Sequence, residues 1–312
     1  MPDRSPRLSR RTLLASLPAL GIAPVAATAQ AYPDKPITLV VPFPPGAVTD
    51  RAGRALGAEL GKRLGQQVIV DNVGGASGTL AGQKVLRARP DGYTLLIGTV
   101  NDLVMAPIVL KQAGYSAKDF TPIAKVFQAP TILVANPALP ADTADEFVDY
   151  AKKQGRPVPL GATGLATLQT VGGVMFAEAA GFKFDIVPYK GGGPLLTDLV
   201  GGQVQVATMA LGSALSLIRQ GKLKSLGLIS LRRDPTAPDL PTVNEGKRVK
   251  GIEADLWGGL AGPANLPPAV VARLSAALGD ILAEYADPAS FGMFLAREEE
   301  RLRAVAARVQ LE

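Results

Sequence analysis

Residues 37–50, ITLVVPFPPGAVTD, decide the fold. The stretch opens with a short apolar run, Ile37 to Val41, rich in β-branched residues, and breaks at Pro42, Pro44, Pro45 and Gly46. At Thr49-Asp50 it resumes in a helical pattern that continues as AGRALGAELGKRLG. A strand, a tight Pro/Gly loop and a helix make a βα unit. Thr49 or Asp50 can accept a bond from the helix's first N–H groups. Outward-facing amides at the positive end of a helix dipole favour an anion, so this loop either holds one end of a small carboxylate or is an ordinary βα turn whose amides meet water.

Outward from that unit, strands and helices alternate. Gln67–Val70 reads as a second strand, Asp71–Gly78 as a loop and Thr79–Ala88 as a helix. Arg89–Gly92 forms a turn, Tyr93–Thr99 a third strand and Asn101–Lys111 a helix. This alternation predicts parallel sheet. Thr121–Asn136 is a long extended segment suited to cross between two lobes. A second set follows: helix 143–154 capped by Thr143, strand 158–160, helix 168–180, strand 185–189, strand 204–209, helix 213–220 and strand 223–230. After an irregular Pro/Asp-rich passage, 232–246, come extended chain at 249–260, a helix over 267–285 and an amphipathic tail helix over 291–309. Two αβ sets joined by extended segments predict two lobes with a cleft between them, where ligand sites concentrate.

Composition narrows the chemistry. The 312 residues are 47% apolar and 19% charged, enough for a packed core. Cysteine is absent, which excludes disulfides, thiolate metal sites and a cysteine nucleophile. Histidine is absent too, which removes every Ser-His pair and the commonest metal ligand. The net charge is +6, of which +3 lies in residues 1–31 (four Arg against Asp3), leaving +3. Its Lys and Arg lack aromatic interleaving, so nucleic acid is not an expected partner. No dinucleotide or P-loop glycine motif occurs, no acidic cluster has metal-loop spacing, and no cofactor is expected. Trp257, the single tryptophan, reads either as a core or hinge residue or as a wall of the cleft.

The first 31 residues read as an export signal. Ser9-Arg10-Arg11-Thr12-Leu13-Leu14 is twin-arginine-like, an uncharged stretch follows to Ala29, and Ala29-Gln30-Ala31 offers a cleavage site before Tyr32. Paired arginines also occur in general secretory leaders, so the export route stays open.

Three loops follow strands and precede helices: 42–50, 161–167 and 190–194. Rich in Gly, Pro, Thr and Ala, they allow a ligand to approach backbone amides closely, or serve only as tight turns. In these loops the chain resembles the extracytoplasmic solute receptors of tripartite tricarboxylate transporters, the Bug family. The resemblance runs in order through YPDKPITLVVPFPPGAVTD (32–50), LGQQVIVDNVGGASGTLA (64–81), RPDGYTLLIGT (89–99), FTPIAKV (120–126), VPYKGGGPLLTDLVGGQV (187–204), IRQGKLKSLGL (218–228), LPTVNEG (240–246) and WGGLAGP (257–263).

The resemblance implies an α/β, two-lobed periplasmic binding protein, type 2-like, each lobe a Rossmann-like sheet flanked by helices with the ligand cleft between. Residues 32–129 and 234–312 would form lobe 1 and 130–233 lobe 2. It implies a non-catalytic, monomeric receptor that closes on a small carboxylate or amphoteric solute and passes it to a membrane permease of one large and one small subunit. The ligand-binding residues implied are Phe43, Pro45, Gly46, Ala47, Val48, Thr49 and Asp50 with Thr99 in lobe 1. In lobe 2 they are Thr163, Gly164, Leu165, Ala166, Thr167, Thr170, Tyr189 and Met209. The chain departs from the family pattern at Ala47-Val48, Ala166-Thr167, Thr170, Met209 and Ala106, changes that make the cleft less polar and point to a ligand that is unusual or more apolar. It also lacks a strand-forming passage after Ala286-Asp287-Pro288. Two other classes compete: a receptor that docks on a sensor kinase, and an exported enzyme working with Asp, Glu, Lys or Tyr.

Overall fold

A computed structural model describes residues 32–282 and 285–308; the export signal expected at 1–31 lies outside them. The elements run β1 Ile37–Val41, α1 Val48–Leu64, β2 Val68–Asn72, α2 Thr79–Leu86, β3 Thr94–Thr99, a π-turn Asn101–Met105 leading into the short α3 Ala106–Val109, and β4 Phe120–Ala129. Then come β5 Thr131–Ala135, α4 Ala144–Gln154, β6 Val158–Ala162, α5 Leu168–Ala180, β7 Phe184–Pro188, α6 Gly192–Val200, β8 Val206–Ala210, α7 Leu211–Arg219 and β9 Lys224–Leu228. Strand β10 Leu256–Pro263, α8 Pro268–Gly279 and α9 Pro288–Arg308 complete the chain. The first strand and the helix over 168–180 fall where the sequence predicts them.

Two five-stranded sheets result, ordered β2-β1-β3-β10-β4 and β7-β6-β8-β5-β9. Neither is wholly parallel, against expectation. β1 pairs in parallel with β2 and β3, and β6 with β7 and β8, but β10 is antiparallel to β3 and β4, and β5 is antiparallel to β8 and β9. The reason lies in the crossings. The extended segment 121–136 is two strands, one in each sheet, divided at Pro130, which has no N–H to donate to a ladder. β5 and β10 are the strands by which the chain enters a lobe from the other, and each runs antiparallel to that lobe's β3–β4 or β8–β9 neighbours. Both sheets thereby have the same order: second, first, third, incoming, fourth.

β1 is buried along nearly its whole length, from Ile37 to Val41, and Leu95 to Ile97 of β3 lie beside it at 0–1% exposure. Such strands carry helices on both faces and need continuous apolar runs, which is why their sequences show no alternation. α1 packs on this sheet through Gly53, Leu56, Gly57 and Leu60, with Val41 3.1 Å from where a Gly53 Cβ would stand. In lobe 2, Phe147, Phe176, Phe182 and Phe184 form one aromatic cluster, with ring centroids 5.0–6.3 Å apart. Trp257 is core: it is 2% exposed, packs on Phe291 and Phe294 of α9, and donates Nε1–H to Glu298.

The irregular passage after β9 is pinned to lobe 2. Leu228 bridges Thr242, and Asp145 of α4 accepts the N–H groups of Lys247 and Arg248. Asn244 ties the loop across its neck through Ser230 and Ile252. The division expected at residue 234 therefore falls inside a passage still bonded to α4 and β9. Thr143 caps α4 as predicted, its side chain accepting from the Glu146 N–H.

Candidate functional site

Parallel strands deliver their C-terminal ends to one place, and the lobes meet there. β1 ends in the loop Phe43–Ala47, β3 in Asn101, β6 in Thr163, β7 in Gly191–Pro194 and β8 in Ala210. All of these line one cavity of about 490 Å³, a size typical of small-molecule sites. Its wall is mostly apolar: Phe43, the prolines 44, 45 and 194, Val48, Leu196, Met209 and Leu256. Its polar members are Thr49, Arg51, Asn101, Thr163, Gln169 and Ser213, and Arg51 alone among them is charged.

The helix ends facing this cavity are of two kinds. α1, α6 and α7 begin at Ala47, Gly191 and Ala210, none of which offers a capping side chain. The first N–H groups of a helix have no acceptor inside it, so three positive helix ends open on the cavity. Their sequences follow from that need. Gly191 adopts φ +133° with Pro44 of the facing lobe 3.6 Å from where a Cβ would stand, and Gly46 turns the first loop at φ +85°. Around Gly192 and Gly193 a Cβ would meet nothing within 4 Å, so the start of α6 is bare backbone.

α5 is the other kind. Thr167 caps it by accepting the Thr170 N–H, and the N–H of Leu168 donates to Asn101 Oδ1 at 2.8 Å. Asn101 Nδ2 donates to Gln169 Oε1 at 3.0 Å. Asn101 belongs to lobe 1 and both partners to lobe 2, so its amide joins the lobes. Arg51 joins them again, with Nη1–H donating to Gly46 O at 2.6 Å and Nη2–H to Gly212 O at 2.9 Å. The lobes are closed on each other here.

Asp50 sits beneath the first loop at 3% exposure. Its carboxylate accepts from Gly46 N–H at 2.8 Å, Asn72 Nδ2 at 2.9 Å and Arg54 Nε at 3.1 Å. Burial works to raise its pKa, but the bonds from Arg54, Gly46 and Asn72 outweigh it and hold the carboxyl below the usual range. It is thus a neutralised anchor that shapes Gly46, not the helix cap the sequence suggests. Behind Asn101, Asp102 is fully buried; Oδ1 accepts from the N–H and hydroxyl of Thr99, while Oδ2 has no partner. Burial pushes its carboxyl up to about 7.

Of the residues read from sequence, Phe43, Pro45, Gly46, Ala47, Val48, Thr49, Thr163 and Met209 meet at the cavity. The others take different places. Asp50 is spent on the loop. Thr99 is fully buried and donates to Asp102. Thr167 and Thr170 are fully buried, both hydroxyls directed to Gly164 O, and Ala166 lies with them. Leu165 points to solvent at 47% exposure. Gly164 lies against the other lobe, a Cβ there falling 3.2 Å from Ser77 Oγ. Tyr189 donates its hydroxyl to Asp198 within lobe 2. Ala106 is core, five residues beyond Asn101. Sequence reading missed Arg51, Asn101, Gln169, Ser213 and Leu256. One local signal marks Arg51: a cation in the first turns of a helix opposes the dipole.

A second, more open hollow of about 760 Å³ runs along α9 beside Phe120 and Pro122. It carries Glu299, Glu300, Lys118 and Arg303, charges of both signs. Among the described residues there is no cluster of acidic or imidazole side chains that could hold a metal ion, and no helix is long and apolar enough to cross a membrane.

The sequence profile of the tripartite tricarboxylate transporter family receptor matches residues 52–296. The chain belongs to that family. Its receptors are periplasmic solute-binding proteins. Solved relatives share the two-lobed architecture over nearly their full lengths. The periplasmic binding protein BugD is 31% identical, with 90% of this chain and 99% of that one covered and a TM-score of 0.83. R. palustris Rpa4515 with adipate is 28% identical, covering 88% and 97%, with a TM-score of 0.84. MatC from Rhodopseudomonas palustris with bound malate is 29% identical, covering 88% and 99%, with a TM-score of 0.80.

Proposed function

We propose that this receptor captures a small carboxylate by closing its lobes on it, and delivers it to the permease of a tripartite tricarboxylate transporter. One observation carries the reading: three helix N-termini without capping side chains and one guanidinium face a cavity between the lobes that no acidic side chain lines. Such a site attracts an anion through backbone N–H groups and positive charge. The apolar wall of Phe43, Leu196, Met209 and Leu256 suits a ligand with a hydrocarbon body. The dicarboxylates held by the two R. palustris relatives support this class. Within it we assign ligand contact to the backbone of 43–49 and 191–193 and to Thr163 and Met209. The N-terminus of α5 serves instead as part of the lobe contact. The receptor works without turnover, since the cavity offers no acid–base pair.

Calorimetric titration of the mature protein with malate, adipate, citrate and benzoate tests the reading. Binding of at least one acid with a Kd at or below the micromolar range is expected. No heat, no thermal shift and no acid co-purifying in the cavity would refute it. Appearance of a product by mass spectrometry would make it an enzyme. For delivery, uptake of the bound acid by vesicles holding the permease should depend on added receptor. Residues 1–31 are assigned as an export leader, checked by the N-terminal sequence of protein recovered from the periplasm, which should begin at Tyr32.

A further inference from the structure

We infer that Arg51 is the residue by which this receptor distinguishes a dicarboxylate from a monocarboxylate. The inference rests on the carboxylate reading of the cavity and adds to it a named side chain and a charge count.

Arg51 is misplaced by local rules. It is the fourth residue of α1, where the helix dipole repels a cation. Its guanidinium lies against Gly212, in the first turn of α7, a second positive helix end; a Cβ at Gly212 would stand 3.6 Å from Nη2. No carboxylate relieves it among the described residues. The adjacent acid, Asp50, is taken by Arg54, Asn72 and the Gly46 N–H. Arg51 instead donates to two main-chain carbonyls, Gly46 O and Gly212 O, one on each lobe. A guanidinium has five donors, and these bonds use two of them. One N–H on Nε and one on each Nη stay available at the wall of the cavity, in the fork that matches a carboxylate.

The bare start of α6 is a different helix end facing the same cavity. Gly191 packs against Pro44 there, whereas Arg51 packs against α7. A single carboxylate can take the amides of one helix end and leave Arg51 as it is. A second carboxylate at the other end of an apolar linker meets Arg51, offsets the repulsion between the guanidinium and the two helix ends, and leaves the bonds to Gly46 and Gly212 in place. The contact therefore rewards the dianion in the closed form.

The experiment compares adipate with hexanoate, a monoacid of equal carbon number, by calorimetry on the mature wild-type chain and on Arg51→Met and Arg51→Lys. Wild type should bind adipate more tightly. Arg51→Met should weaken both acids by the lost bond to Gly212 O, and should weaken adipate by a further factor of about 10 or more, the worth of a charge-assisted bond. Arg51→Lys, which keeps the charge without the fork, should fall between. Arg51 is exposed at the cavity wall, so the variants should keep the wild-type thermal midpoint within a few degrees. Equal losses for both acids would reduce Arg51 to a tie between lobes and overturn the inference, as would unchanged adipate affinity. A wild-type protein that binds neither these acids nor malate, citrate or benzoate would overturn the carboxylate reading itself, and the role of Arg51 with it.

Discussion

Replacing Asn101 by alanine should weaken every ligand by a similar factor, because its amide bonds protein to protein across the closed cleft. Asn101 is 2% exposed, accepts the Leu168 N–H at 2.8 Å and donates to Gln169 at 3.0 Å. When the lobes part, Leu168, Gln169 and Asn101 all meet water, so these bonds stabilise the closed form alone. Two bonds at about 0.5–1.5 kcal/mol net each give about 1–3 kcal/mol. Water entering the truncated side chain's space limits the further cost of an unpartnered Leu168 N–H. Since closure is coupled to binding, that range corresponds to a loss of about 5- to 150-fold in affinity. Calorimetry supplies the affinities, and small-angle scattering with saturating ligand confirms that closure still occurs. Gln169→Ala removes one of the two bonds and should cost less. The double variant should resemble Asn101→Ala alone, since the partners act as a unit. Affinity unchanged within twofold, or a loss confined to one ligand, would show that this amide does not hold the lobes together.

Further outcomes follow from the same geometry. Gly192→Leu should fold with a thermal midpoint near wild type, since its Cβ meets nothing within 4 Å, yet its side chain occupies the cavity. Binding should fall by more than about tenfold, and retained affinity would place the ligand elsewhere. Asp102, raised by burial from 3.8 to about 7, binds its proton more tightly folded than unfolded. Its stabilising contribution is complete below about pH 4 and is lost as pH climbs through about 7. Asp102→Asn should therefore flatten the decline in thermal midpoint between pH 5 and pH 8; an identical slope in both proteins would show that Asp102 is ionised throughout.

Much of the fold was legible because its determinants are local. A β-branched run ended by Pro42, Pro44, Pro45 and Gly46 can hardly be other than a strand and a turn, and Thr143 caps a helix three residues away whatever packs on it. The same holds for the glycine loop at 191–193, whose openness follows from having no side chains. The site was legible only as far as its backbone. Phe43 to Thr49 lie in the cavity because they follow a buried parallel strand. Thr167 and Thr170 look like ligand groups in sequence, and the fold turns both hydroxyls inward to Gly164.

The sequence by itself determined two αβ sets, their exposed amide-rich loops and, by lacking histidine and cysteine, a site without the usual catalytic bases. Tertiary structure alone decided that incoming strands β5 and β10 run antiparallel, which depends on where the chain crosses between lobes. It alone decided which helix ends stay open. α5 is closed by the Asn101 side chain, 67 residues away, while α1, α6 and α7 have no capping side chain. A hydrogen bond between lobes depends on how two separately folded bodies meet, and no periodicity within either one encodes that distance.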